Sequence, residues 1–409
     1  MSIKKRYIAC VIGTALSSQA FAAGYQVSEH SAAGLGRAYA GDAAVADTAA
    51  VIARNPAAMT LFKKAEVSGV ASVINPSVNI DDHTNNEKAK DIAPISFIPA
   101  AYYIQPLNNK VAVGLALFSN YGVTTDYPKD MKSGSLAGKT SLETINFNPN
   151  IAYRVNQHLS LGAGVSLIYG TAEFDRRLGS LSYSMPSSNL IDMKGTSWGW
   201  GWNIGALYEL DQNNRFGLSY RSQVDLDFDG DFTDYLGPIT GKPHNTVSAN
   251  LSLPLPAIAE FSGFHQLDSQ WAISYSLQWT QYNKFKEIKA TSSQCNSGTC
   301  FLKKENYKNT YRWAVGTTYT MNDKWTLRYG FALDQNAGQA TLSIPDTDRY
   351  WYSAGATYHF NPDLSVDMGL SYIHSKKASF KEETPTGDMN SFTSTGSAYL
   401  AAMQINYRF

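Results

Sequence analysis

The stretch that most constrains this chain is its last one. Tyr399, Ala401, Met403, Ile405, Tyr407 and Phe409 alternate there with Leu400, Ala402, Gln404, Asn406 and Arg408. A period of two puts the first group on one face of a β-strand and the second, more polar group on the other. The pattern recurs at 325–334, where Trp325, Leu327, Tyr329, Phe331 and Leu333 alternate with Thr326, Arg328, Gly330, Ala332 and Asp334. Trp198, Trp200, Trp202, Ile204, Ala206 and Tyr208 form another such row. A soluble sandwich turns its polar face to water and carries fewer aromatics. Arg and Asp opposite a lipid-like aromatic face suit the polar lumen of an outer-membrane β-barrel. A two-faced closing strand fits as well, because a barrel's last strand must pair with its first.

The connections alternate in the same way. Short turns are expected at 105–110, 156–158, 211–214, 266–269, 322–324 and 361–363. Long polar connections are expected at 81–94, 123–142, 175–195, 229–245, 286–306, 335–348 and 375–394. Six turns and seven loops make fourteen antiparallel strands, with both barrel ends on the short-turn, periplasmic side. Pro254 and Pro256 interrupt one strand pattern, and proline cannot donate to a ladder, so a bulge or broken pairing is expected there.

The other end of the chain reads as a secretory signal. Lys4, Lys5 and Arg6 precede an apolar run from Tyr7 to Leu16, and Ala20-Phe21-Ala22 has the small-residue spacing of a cleavage site. That run is far shorter than the roughly 20 residues needed to span a bilayer as a helix. The expected organisation is a signal peptide at 1–22, an N-terminal segment at 23–64 and a barrel at 65–409. The 23–64 segment is rich in Ala and Gly and reads as short helices and turns. It is either a free periplasmic tail or a plug that fills the lumen, and fourteen strands enclose a lumen wide enough to leak unless filled.

Lys+Arg and Asp+Glu balance at 34 each, which disfavours nucleic acid or a strongly charged partner. The tyrosines and tryptophans belong at the membrane interfaces. Cys10 falls in the signal, leaving Cys295 and Cys300 around the turn-forming Asn296-Ser297-Gly298-Thr299. In an oxidising compartment a local disulfide is expected. The seven His are scattered, so neither metal nor cofactor is implied.

Three stretches resemble the long-chain fatty acid transporters of the outer membrane, the FadL family. Gly34-Leu35-Gly36-Arg37-Ala38-Tyr39 followed by Arg54-Asn55-Pro56-Ala57 is similar to the family's hatch with its Asn-Pro-Ala stretch. Ser119-Asn120-Tyr121-Gly122 is similar to the region where the third strand kinks inward. Ser343-Ile344-Pro345-Asp346-Thr347-Asp348-Arg349 is a third match. The resemblance implies an all-β barrel of fourteen strands plugged by the hatch. It implies passive uptake of long-chain fatty acids and similar compounds, with lateral exit into lipid at the kink, where Gly122 permits a bend and Asn120 meets freed backbone groups. The partners are then hydrophobic ligands, outer-membrane lipid and lipopolysaccharide, and the barrel is expected as a monomer.

By the same resemblance, Arg176 and Lys303 bind the ligand carboxylate, with Arg177 and Lys304 as neighbours that a one-residue slip would present instead. The third and fourth long loops are shorter than the family's. They still offer Leu178, Leu181, Met185, Leu190, Phe232, Tyr235 and Leu236 for an outer groove. Three rivals remain: a lipid-cleaving enzyme, an open porin, and a channel for aromatic hydrocarbons. The first lacks a Gly-x-Ser-x-Gly stretch.

Overall fold

A computed structural model describes residues 24–409; the signal segment expected at 1–22 lies outside the described residues. One continuous antiparallel sheet closes on itself. The first strand (Glu66–Asp82) pairs with the second (Ser96–Pro106) and with the last (Met389–Arg408), in a register that sets Val67 opposite Tyr407 and Val73 opposite Ala401. Fourteen strands complete the circuit, so each has a neighbour on both sides over at least part of its length, as a lipid-facing sheet requires. The six short turns fall where expected to within one or two residues: 107–110, 155–158, 210–213, 267–270, 321–324 and 362–363. On the closing strand Tyr399, Met403, Ile405, Tyr407 and Phe409 are exposed to the outside, while Gln404 and Asn406 are buried inside.

The long connections are shorter than expected, because several are strand. Only 335–348 keeps its expected bounds. The fifth strand runs to Arg177 and the sixth begins at Asn189; Val224–Asp234 pairs with Asn245–Leu255, Glu287–Thr291 with Thr299–Lys304, and Ala378–Glu383 with Met389–Ser394. The physical reason is an inversion of the alternation. In the lower seventh strand, Leu218 faces out and Ser219 and Arg221 face in; beyond Ser222-Gln223 the same strand turns Asp225, Asp227, Asp229 and Asp231 out and Leu226, Phe228 and Phe232 in. Above the hydrocarbon the outside is wet and the inside dry, so the polar face reads as a loop to an eye tuned to lipid-facing strands. Strands seven to ten all break near this level, the eighth at Pro256-Ala257.

Residues 24–64 lie in the lumen as one short α-helix (Ala32–Gly36) and two 3₁₀ turns (Ala49–Ala53, Pro56–Leu61). Wall glycines admit them closely. A Cβ on Gly162 would lie 2.4 Å from the Ala57 nitrogen, and one on Gly205 would collide with the Asn55 amide oxygen. Buried ion pairs add to the docking: Arg37 meets Asp42 (3.0 Å) and Asp47 (2.6 Å), and Arg328 of the wall reaches the same Asp47 at 3.2 Å. Arg54 pairs with Glu260 of the eighth strand at 3.3 Å. Asn55 caps the second 3₁₀ turn through Ala57 N–H. Its amide donates to the carbonyls of Ala43 (2.7 Å) and Ala206 (3.0 Å), tying the Asn-Pro-Ala turn to hatch and wall together.

Candidate ligand-binding site

The inverted alternation lines the upper lumen with apolar side chains. Leu142, Phe174, Ile191, Met193, Phe228 and Leu251 belong to one buried cluster, which Tyr25 of the hatch segment joins from below. Within it a small apolar cavity is lined by Tyr25, Leu142, Phe174, Leu253, Phe285 and Phe301, with Arg176 also on its wall.

Strand geometry aims the basic residues. Phe174 and Arg176 are two apart on the fifth strand and both point inward, Arg176 being 2% exposed. Its neighbour Arg177 pairs with Asp175 at 3.2 Å beside the loop. On the tenth strand Lys303 is half-buried and Lys304 exposed. Arg176 and Lys303 converge: each donates to the Ser343 hydroxyl at 2.9 Å. The remaining partners of the Arg176 guanidinium are neutral oxygens, those of Lys139, Thr140 and Asp175. Its charge also lies over the Phe301 ring, 5.6 Å from the centroid. Lys303 pairs with Glu382 at 3.0 Å.

Glu305 lies in the break after Lys304, where its carboxylate accepts from the Thr341 hydroxyl at 3.2 Å. Burial pushes its carboxyl up to about 7; Lys303 draws it down, and the nearby charge of Glu382 adds to the rise. Ser343, Glu382, Glu305 and Tyr25 were not singled out as ligand-site residues from sequence. Ser343 heads the third family-like stretch, which was the available signal; the others come from distant strands or from the hatch and carry no local pattern.

The third strand is interrupted. Val111–Phe118 and Gly122–Asp126 both pair with the fourth strand, but Phe118 sits opposite Asn146 and Gly122 opposite Glu143, so Ser119-Asn120-Tyr121 holds one residue more than its partner. The register between second and third strands stops at Ala101–Leu117, and contact resumes only where Asp126 N–H donates to the Ile92 carbonyl. Between those points no ladder pairing joins the second and third strands among the described residues. The backbone groups so freed are met chiefly by the hatch: Val27 N–H donates to Asn120 O (2.6 Å) and Gly122 N–H to Tyr25 O (2.8 Å). The Asn120 side chain instead accepts from Asn146 at 3.3 Å. His30 of the hatch contacts the Ser119 carbonyl at 3.0 Å. The Tyr25 and Tyr121 hydroxyls donate to the carbonyls of Pro254 and Pro256, so the proline break supplies acceptors for this junction.

The seven residues of the expected outer groove do not share one surface. Leu178 and Phe232 are buried, Leu190 is half-buried, and Leu181, Met185 and Leu236 are exposed. The Tyr235 hydroxyl donates to Asp192 at 2.5 Å. Cys295 and Cys300 form the expected disulfide, with Cα atoms 5.5 Å apart, and the hairpin tip docks on the fourth long loop through Asn296 N–H to the Ile239 carbonyl at 2.8 Å.

A family model described as outer membrane protein transport protein (OMPP1/FadL/TodX) matches residues 13–409. The long-chain fatty acid transport protein of Escherichia coli (strain K12) is 40% identical, with 96% of each chain covered. Outer membrane protein P1 of Haemophilus influenzae (strain ATCC 51907 / DSM 11121 / KW20 / Rd) is 36% identical over 99% of this chain and all of its own. The crystal structure of a Pseudomonas aeruginosa FadL homologue superposes with a TM-score of 0.85 at 23% identity, covering 95% of this chain and 100% of that one. That of the P. putida toluene transporter TodX gives 0.67 at 17%, covering 88% and 94%. A closed barrel with a stoppered lumen, matched in sequence along nearly its whole length, places this chain in the outer membrane and makes it a member of the OMPP1/FadL/TodX transport family.

Proposed function

We propose that this protein takes up long-chain fatty acids across the outer membrane by passive diffusion, releasing them sideways through the wall at Ser119–Gly122. The single observation that carries the reading is that Arg176, which lines the apolar cavity, meets Lys303 on Ser343. A planar guanidinium and a mobile ammonium recognise a carboxylate, and the apolar space below takes its tail. Each buried CH₂ contributes about 0.8 kcal/mol, so such a tail does not favour an aqueous pore. It moves along greasy surfaces into lipid, and an exit below the lipopolysaccharide layer avoids that polar barrier.

The hatch is the gate in this reading. Tyr25 bounds the cavity while its backbone carbonyl stitches Gly122, so a tail that displaces Tyr25 also frees the kink. Leu181, Met185 and Leu236 offer first contact at the surface, while Leu178 and Phe232 are buried. The work is transport, not catalysis, and the closed sheet needs no second copy to satisfy an edge.

Channelling of aromatic hydrocarbons is the second reading, favoured by the predominantly apolar cavity wall. Competition of labelled oleate binding by palmitate and by toluene separates the two: palmitate alone should compete at low concentration, and superior competition by toluene would reverse the assignment. Replacing Gly122→Ile should stop oleate uptake by cells while leaving binding intact; normal uptake would discard the side exit.

A further inference from the structure

The headgroup cluster contains an anion of its own. Glu382, on the outer extension of the thirteenth strand, sets one carboxylate oxygen 3.0 Å from Lys303 Nζ and turns the other to the backbone N–H of Leu342, the residue before Ser343. Both side chains are largely buried, at 13% exposure for Lys303 and 10% for Glu382. Arg176, by contrast, rests on neutral oxygens. The cluster thus holds one cation paired directly with a carboxylate and one whose direct hydrogen bonds go to neutral oxygens, with Glu382, Asp175 and Glu305 acting on it only at longer range.

Two kinds of ligand meet this arrangement differently. A fatty carboxylate that reached both cations with Glu382 in place would set two anions on one ammonium, which like-charge repulsion opposes. An uncharged ligand leaves Lys303 needing a counter-ion, because an unpaired buried ammonium is costly.

We propose that Glu382 is a resident surrogate for the ligand headgroup: it occupies the place on Lys303 that a fatty carboxylate takes, yields it when an acid arrives, and holds it when an uncharged hydrophobic molecule fills the cavity. Binding an acid then exchanges one ion pair for another, so the tail rather than the charge supplies most of the affinity, and release is eased. The same side chain sets specificity, since it narrows the advantage that an acid holds over a ligand without a charge. This rests on the reading of Arg176 and Lys303 as the headgroup site.

Binding of palmitate and of hexadecanol to the full-length protein in detergent tests it in the wild type, E382Q, K303A, R176A and the E382Q/K303A double variant. E382Q should tighten palmitate about tenfold, the worth of one charge-assisted contact, and change hexadecanol less than twofold. Adding E382Q to K303A should tighten palmitate less than E382Q does in the wild type, because only the longer-range effect of Glu382 on Arg176 is left. An E382Q protein that binds palmitate no better, or that shifts both ligands alike, overturns the proposal. Should K303A and R176A themselves leave palmitate unaffected, the headgroup reading falls instead. The hexadecanol measurement reports an intact cavity in the variants that keep Arg176.

Discussion

Truncating Lys303 and Arg176 separately yields different signatures, and the structure gives their sizes. Lys303→Ala removes an ammonium whose contacts are polar, Ser343 at 2.9 Å and Glu382 at 3.0 Å. A hydrogen bond to a charged group contributes about 1.5–3 kcal/mol, and about 1.4 kcal/mol is a factor of ten. Glu382 holds the ammonium before palmitate does, and that exchange offsets about tenfold of the contact, so palmitate should bind severalfold more weakly in the wild-type background while hexadecanol stays nearly unchanged. Arg176→Ala loses a comparable contact and also the guanidinium over the Phe301 ring, 5.6 Å away, together with the stem that packs at the cavity edge. Such a cation–π contact contributes about 0.5–2 kcal/mol, so hexadecanol should weaken as well, by about two- to fivefold. The double variant should lose less than the product of the two, because both cations share Ser343. Arg176→Lys restores the charge but not the planar fork, and should recover part of the palmitate loss. Calorimetric titration in detergent gives all of these. Equal losses for acid and alcohol in Lys303→Ala would refute the carboxylate role.

Three other outcomes are expected. Glu305, with its carboxyl raised to about 7, is anionic above that pH and neutral below it, so palmitate binding should strengthen as pH falls from 8 to 6. Glu305→Gln should flatten the profile, and a profile that persists in that variant assigns the effect elsewhere. Gly162→Val forces the Asn-Pro-Ala turn off the wall, since even a Cβ would sit 2.4 Å from Ala57 N. It should cost about 1–3 kcal/mol in unfolding titrations and raise planar-bilayer conductance, and an unperturbed closed barrel would contradict the packing. Deleting 24–64 should open steady conductance, whereas a silent barrel would mean that the wall alone closes the lumen.

Much of the barrel was legible because a wall in contact with lipid has few alternatives. Period-two rows such as 198–208 had to be lipid-facing strands, and turns such as Asn322-Asp323-Lys324 had to end them. The upper wall was not legible in the same way. Residues 224–234 alternate as regularly as any strand, but with Asp outward, and polar residues above the membrane look like loop until the inside is known to be dry. The Arg54–Glu260 and Arg328–Asp47 ion pairs and the place of Glu382 beside Lys303 were also invisible, since each joins positions far apart in the chain, and the Arg176–Lys303 site and the kink came from family resemblance alone.

Alternation, aromatic content and turn chemistry by themselves determined a closed, two-faced sheet, because no other arrangement satisfies both those side chains and the backbone in lipid. Only the tertiary structure decided where the lumen turns apolar, which basic neighbour of each pair points into it, and what covers the backbone exposed at Ser119-Asn120-Tyr121. Those outcomes depend on register and on the bridge between Gln26 of the hatch and Tyr121 of the wall, and neither is encoded in any local window.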